Sequence, residues 1–226
     1  MRARGQKLDF MGRNFETDWF DALKNVAIEA SYKSGEILSA QGDINNKVGF
    51  ILSGKATASS YSVNGDETWV SEYIPGQFIG LRGLLYDQTT SLEIRAKKNL
   101  TVLLVSHDRM LDLMRENHNL CQAIATDLAA RLNQSMAFLI DINTLSVKGR
   151  ICAELLKMAL PIGIDPDRQV IRPNPIFIDM ARKLNSSRET VSRTISELQK
   201  RGIIARQPGA LVIEDPIRLQ DAIEYI

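Results

Sequence analysis

The sequence predicts an α+β chain in three parts: a jelly-roll-like β-roll, a long helix, and a C-terminal helix pair closed by a β-hairpin. Three observations carry that reading. From about residue 31 to 107, glycines punctuate short runs of β-branched and aromatic residues. From Cys121 onward, apolar residues step alternately by four and three. Around Asn185, two short amphipathic segments are separated by a polar turn. The expected boundaries are 1–112 for an N-terminal helix and roll, 113–146 for the long helix and 147–226 for the C-terminal domain.

The first element is "DWFDALKNVAIEA", where Phe20, Leu23, Val26 and Ala27 share one helical face and Thr17 or Asp18 is placed to cap. Strand-like fragments follow: "VGFILSGKATASSYSV", "TWVSEYIPG" and "LTVLLVS", with glycines at 35, 42, 49, 54, 65, 76, 80 and 83. Asn64-Gly65 signals a tight hairpin in which both central positions want positive φ. Many short strands at even spacing close into a roll, sandwich or barrel.

The long helix carries a seam of Cys121, Ala125, Leu128, Leu132, Ser135, Leu139 and Ile142, flanked by Ile124 and Met136. This is a heptad pattern, and its economical partner is a second copy of itself about a two-fold axis. A homodimer is therefore expected, with Cys121 as a small packing residue.

In the last part, "RICAELLKMAL" reads as a helix ended by Pro161 and Gly163, with one short strand at 169–172. "IFIDMARKL" is a short helix ending at Asn185, which tolerates the left-handed backbone of a tight turn. Ser186 or Ser187 caps the next helix, Glu189 sits in its first turn beside the positive helix end, and Gly202 stops it. Two short strands around Gln207-Pro208-Gly209 form a hairpin, and Pro216–Ile226 a final amphipathic helix. Met180, Ala181, Leu184, Val191, Ile195 and Leu198 are the expected buried set.

Helix, turn, helix and hairpin make a winged helix-turn-helix, and the charge agrees. The chain is +1 overall, but residues 176–208 hold seven Lys/Arg against three Asp/Glu, leaving the rest near −3. A local positive field on a nearly neutral protein suits attraction to backbone phosphate. Exposed Arg188 and Arg193 can each offer parallel donors to guanine, and Glu189 can accept from cytosine N4. Ser187, Thr190, Ser192, Lys200 and Arg206 are placed for phosphate contact or support. Double-stranded DNA is the expected partner.

Composition narrows the other classes. Apolar residues make up 44% and charged residues 24%, as in globular proteins with real cores. No apolar run is long enough to span a membrane, and Met1–Met11 has no apolar segment behind it, so a cytoplasmic protein is expected. Two cysteines and two histidines, His107 and His118, do not make a disulfide framework or a metal site, and neither histidine is expected to be a ligand. A metal-dependent β-barrel enzyme needs converging ligands inside the strands, and no histidine precedes position 107; no enzyme and no cofactor are expected. A rival reading is a nucleotide-responsive module whose C-terminal part meets a protein.

The chain resembles the Crp/Fnr family of bacterial transcription regulators along nearly all its length. "SGEILSAQGD", "GFILSGKATA", "NGDETW", "PGQFIG" and "EIRAKKNLTVLLVS" occur in the order of that family's cyclic-nucleotide-binding roll. "SSRETVSRTISELQKRGII" is similar to its recognition helix. The resemblance implies a sensor roll, a dimerisation helix, and an inverted repeat of TGTGA-like half-sites read by Arg188, Glu189 and Arg193, with RNA polymerase as a further partner.

The effector pocket departs from that pattern. Members that bind cyclic AMP have a glutamate after the glycine of "FIG" and an arginine before the serine of the phosphate-binding turn. Here Gly80 is followed by Leu81, and Thr90 precedes Ser91. Leucine cannot satisfy a ribose hydroxyl, and a buried phosphate needs a charge. The adenine-contacting pair becomes Ser135 and Met136. Independence from cyclic AMP is therefore expected. The alternative is a non-standard anionic or nucleotide effector drawn by Arg82. No cysteine precedes residue 40 for an iron–sulfur sensor.

Overall fold

The computed structural model describes residues 18–86, 89–162 and 165–223, and two compact units divide the chain after Leu132. Met1–Met11 and the capping candidate Thr17 lie outside the described residues. No described helix is long and apolar enough to cross a membrane.

The first unit begins with α1 (Asp18–Val26), which buries Trp19, Phe20 and Leu23. The chain turns extended one residue after the helix, so "IEASY" forms β1 (Ile28–Tyr32) rather than prolonging α1. The strands β2 (Ile37–Ser39), β3 (Lys47–Ser53), β4 (Ala56–Tyr61), β5 (Glu67–Tyr73), β6 (Phe78–Ile79), β7 (Glu93–Ala96) and β8 (Leu100–Ser106) follow. They make two antiparallel sheets, ordered β1-β8-β3-β6 and β2-β7-β4-β5. Period-two alternation assigns each side of β3 and β8 to a different core. Ile51, Leu100 and Val102 meet Ala58, Tyr73 and Ile94 of the other sheet. Phe50, Leu103 and Val105 face the helices, where Phe50 meets Trp19 edge-on at 5.6 Å between centroids.

The Asn64-Gly65 hairpin forms with a wider loop than the dipeptide suggests. Only Gly65 adopts positive φ, at 85°, and the Ser62 N–H reaches Asp66 O at 3.0 Å. The Ser62 hydroxyl accepts from the Asn64 and Asp66 amides, which steadies a longer loop that needs one left-handed residue instead of two.

After β6 comes α2 (Leu81–Leu85), then α3 (His107–Glu116) and α4 (His118–Thr144). The helical stretch is thus interrupted at Asn117, whose side-chain oxygen accepts from the Leu120 amide and caps α4. His107 is buried against Gly83, and burial pushes its imidazole down from the usual histidine range.

The second unit holds α5 (Val147–Met158), α6 (Phe177–Lys183), α7 (Arg188–Lys200) and α8 (Pro216–Asp221) around one core. Its sheet runs β11-β12-β10-β9, from β9 (Leu160–Ile162), β10 (Asp165–Ile171), β11 (Ile204–Gln207) and β12 (Ala210–Ile213). The single strand expected at 169–172 is a full hairpin: α5 ends at Met158, and Val170 pairs with both Leu160 and Val212.

Candidate functional site

Helix α7 buries Val191, Thr194, Ile195 and Leu198, and the three aliphatic residues share one core with Met180, Ala181 and Leu184 of the α6 segment. Thr194 joins the expected inner set because it lies one turn from both Val191 and Leu198. Leu198, Ile195 and Val191 are fully enclosed, which fixes the rotation of the helix about its axis.

The turn between α6 and α7 is fixed by its own backbone and cap and by anchors from α5. Asn185 takes φ of 48°, the Ser186 N–H donates to Ala181 O at 2.8 Å, and the Asn185 N–H to Arg182 O. That is a Schellman-type stop, with asparagine at the left-handed position. Ser187, not Ser186, then caps α7 by accepting from the Thr190 amide at 3.1 Å, and its hydroxyl also lies 2.9 Å from the Thr190 hydroxyl. A third anchor comes from α5. The buried Arg150 guanidinium donates to Leu184 O at 3.2 Å and to Leu145 O at 3.0 Å. Lys183 and the buried Glu154 add an ion pair at 2.6 Å.

With that underside fixed, Arg188, Glu189 and Arg193 emerge exposed on the opposite face. Together with Ser187 and the half-buried Ser192 they line an open groove of about 590 Å³. Lys200 is exposed in the last turn of α7, and Arg206 is exposed on β11, one strand of the hairpin that turns at Pro208-Gly209. Glu197 is bound by Lys148 at 2.8 Å, and Lys148, with lesser contributions from Arg201 and Arg193, holds its carboxyl below the usual range.

The comparisons with known proteins follow the same division. Residues 29–117 match the family model of a cyclic nucleotide-binding domain, and residues 149–222 that of a Crp-like helix-turn-helix domain. The cAMP-activated global transcriptional regulator CRP of Salmonella typhimurium is 27% identical over 202 residues, 87% of this chain and 92% of the relative. A cyclic AMP receptor protein of Thermus thermophilus is 25% identical over 190 residues, 84% of this chain and 85% of the relative. A solved transcriptional regulator of the CRP/FNR family, also from Thermus thermophilus, has the same fold, with a TM-score of 0.67 at 20% identity over 86% of this chain and 97% of that one. The chain belongs to the Crp/Fnr family. It is a transcription regulator with a helix-turn-helix DNA-binding domain.

In this Crp/Fnr protein the residues of the expected effector pocket have different surroundings. Gly80 holds φ of 85° at the start of α2, and a Cβ there would lie 2.6 Å from Lys47 O, so the close strand approach requires glycine. Leu81 is 2% exposed and belongs to the aromatic core with Trp19 and Phe50. The Thr90 hydroxyl faces Ala40 O at 2.6 Å and Asp43 O at 2.9 Å, both acceptors for its single proton. Arg82 is exposed on α2, and one guanidinium nitrogen donates to Thr89 O at 2.9 Å and Ser91 Oγ at 3.3 Å. Ser135 and Met136 are exposed on α4.

The α4 seam also stays open within one chain. Leu128, Leu132 and Leu139 are exposed, as are Ala125 and Ser135, while Cys121 and Ile142 are half-buried. The inward face of the helix start is Leu120, Ile124 and Asp127 instead. Asp127 is an unexpected member: a carboxylate 1% exposed, accepting from the Phe78 amide at 3.2 Å with its other oxygen unpartnered. Arg131, one turn on, donates to Phe78 O and to the Tyr73 hydroxyl, with its guanidinium 4.4 Å from the Tyr73 ring centroid. The charged pair breaks no heptad position of the seam, so an apolar repeat gave no sign of it. Among the described residues no cluster of His, Cys, Asp and Glu is arranged to hold a metal ion.

Proposed function

We propose that this protein binds duplex DNA as a homodimer, at an inverted repeat of TGTGA-like half-sites about one helical turn apart, without requiring cyclic AMP. The observation that carries the reading is the groove on α7, where Arg188, Glu189 and Arg193 stand together outside a fully buried aliphatic underside. Two guanidinium forks and a carboxylate match guanine edges and a cytosine amine in the major groove. The exposed leucines of α4 support the dimer, because a soluble helix does not leave a heptad seam in water without a partner. Pairing α4 with a second copy would set two α7 helices on successive turns of one DNA face. Such a regulator works in the cytoplasm and presents its outer surface to RNA polymerase.

Independence from cyclic AMP is supported by Leu81, which lies in the core, and by Thr90, whose hydroxyl is spent on two carbonyls. A second reading has its own observation. The Arg82 guanidinium reaches the 89–91 turn, next to Ser91, and a small anionic or nucleotide effector would meet a positive charge there.

A random-sequence binding selection on the purified full chain, run with and without cyclic AMP, tests these statements together. The expected product is a two-fold TGTGA-like site, equally enriched in both arms. Enrichment only with the nucleotide would refute the independence from cyclic AMP. Loss of all duplex binding at moderate salt would instead favour a protein-interaction module.

A further inference from the structure

A second groove, of about 380 Å³, adjoins the first and shares Arg188 with it. Its wall is mostly apolar, formed by Pro175, Ile176, Phe177, Ile178 and Leu211, and Asn174, Arg206 and the shared Arg188 complete the lining. Ile176 and Ile178 are unusually exposed for isoleucines, at 62% and 46%. Arg206 lies on the outer strand of the hairpin, yet its guanidinium carbon sits 5.1 Å from the centroid of the Phe177 ring, within the range of a cation–π contact. Phe177 opens α6 and is itself half-buried against the core of the unit, so the ring is a fixed platform. No acidic residue lines the groove, and among the described residues no carboxylate pairs with Arg206. A long flexible cation that would otherwise sweep through solvent is thus parked beside Arg188, on the side of the reading groove.

We propose that this groove holds a backbone phosphate of the bound duplex, and that Phe177 is a positioning residue which keeps Arg206 aimed into it. The inference rests on α7 facing DNA, as proposed above. The apolar wall suits deoxyribose carbons next to the phosphate, and the arginine supplies the only charge the phosphate needs from this side. Orienting Arg206 before binding removes part of the entropy cost of immobilising it.

The test is a four-protein cycle on the full chain with one duplex carrying the selected site: wild type, Phe177→Leu, Arg206→Ala and the double variant. Phe177→Tyr serves as the conservative control, because it keeps the ring face. Arg206→Ala weakens every duplex alike and lowers the magnitude of the logarithmic salt slope by about 0.9, one phosphate's worth of counterion release. Phe177→Leu weakens binding about two- to fivefold, the range of an exposed cation–π contact. The same change is without effect in the Arg206→Ala background, and tyrosine restores wild-type affinity. A loss that persists at full size without Arg206, or a tyrosine variant as weak as the leucine one, would reduce Phe177 to a packing residue and overturn the assignment. An unchanged affinity of Phe177→Leu does the same. The proposed function fails separately, when the wild type itself prefers no duplex sequence.

Discussion

Replacing Arg188 by alanine separates base reading from general attraction. Arg188 opens α7 on its exposed face and has no ion pair among the described residues. Alanine is a strong helix former, so folding stability should move by less than about 0.5 kcal/mol. The consequence at DNA is larger and local. One bidentate arginine–guanine pair contributes roughly 1–3 kcal/mol of discrimination, or about five- to 150-fold between guanine and another base at one position. Lys200→Ala is the matched control, since Lys200 is exposed at the far end of the same helix. It should weaken all duplexes evenly and reduce the salt slope by about 0.9. The assay is equilibrium competition, at fixed ionic strength, between the selected site and single-base variants. Arg188→Ala should flatten preference at one guanine per half-site and leave the others intact. Equal weakening of all competitors by both substitutions would refute the base-reading assignment and make Arg188 a phosphate contact.

Two further outcomes concern the scaffold. Ile195→Ala should cost about 2–5 kcal/mol in urea unfolding of the DNA-binding unit, because Ile195 is fully buried beneath the exposed face of α7; a loss below about 1 kcal/mol would contradict a packed underside. Burial pushes the Asp127 carboxyl above its ordinary range, against the opposing effects of Arg131 and the Phe78 amide. Its folded form therefore holds a proton more tightly than the unfolded chain, so this group's contribution is most favourable below the unfolded carboxylate pKa of about 3.9 and declines as pH rises through the folded value. Asp127→Asn keeps an acceptor for Phe78 without the charge, and its stability relative to wild type should rise with pH over the acidic range and then level. A relative stability that falls as pH rises would reverse the sign and refute it.

Much of the exposed face of α7 was legible because helical spacing and capping are local. Val191, Ile195 and Leu198 announced the buried face, Asn185 the left-handed stop and Ser187 one of two candidate caps. The β-roll was equally visible in its glycine spacing. What stayed hidden depends on partners distant in sequence. Nothing near Leu81 says that its side chain joins Trp19 and Phe50, or near Asp127 that Phe78 supplies its amide. The β9–β10 pairing was missed because Pro161 read as punctuation, whereas it lies within a short edge strand. Nothing near Phe177 in the sequence points to Arg206; only the fold brings the two side chains together.

Arg150 ties the end of the α4 segment, at Leu145 O, to the last carbonyl before the α6–α7 turn, at Leu184 O. A guanidinium is flat and stiff, with its donors at fixed angles, so the two carbonyls behave like points on a single bracket. Any rotation of α4 that moves Leu145 must then tilt the α6–α7 pair by way of Leu184 or break a hydrogen bond enclosed in protein. Lysine at this position would carry the same charge but act as a loose tether, leaving that helix pair free to wander.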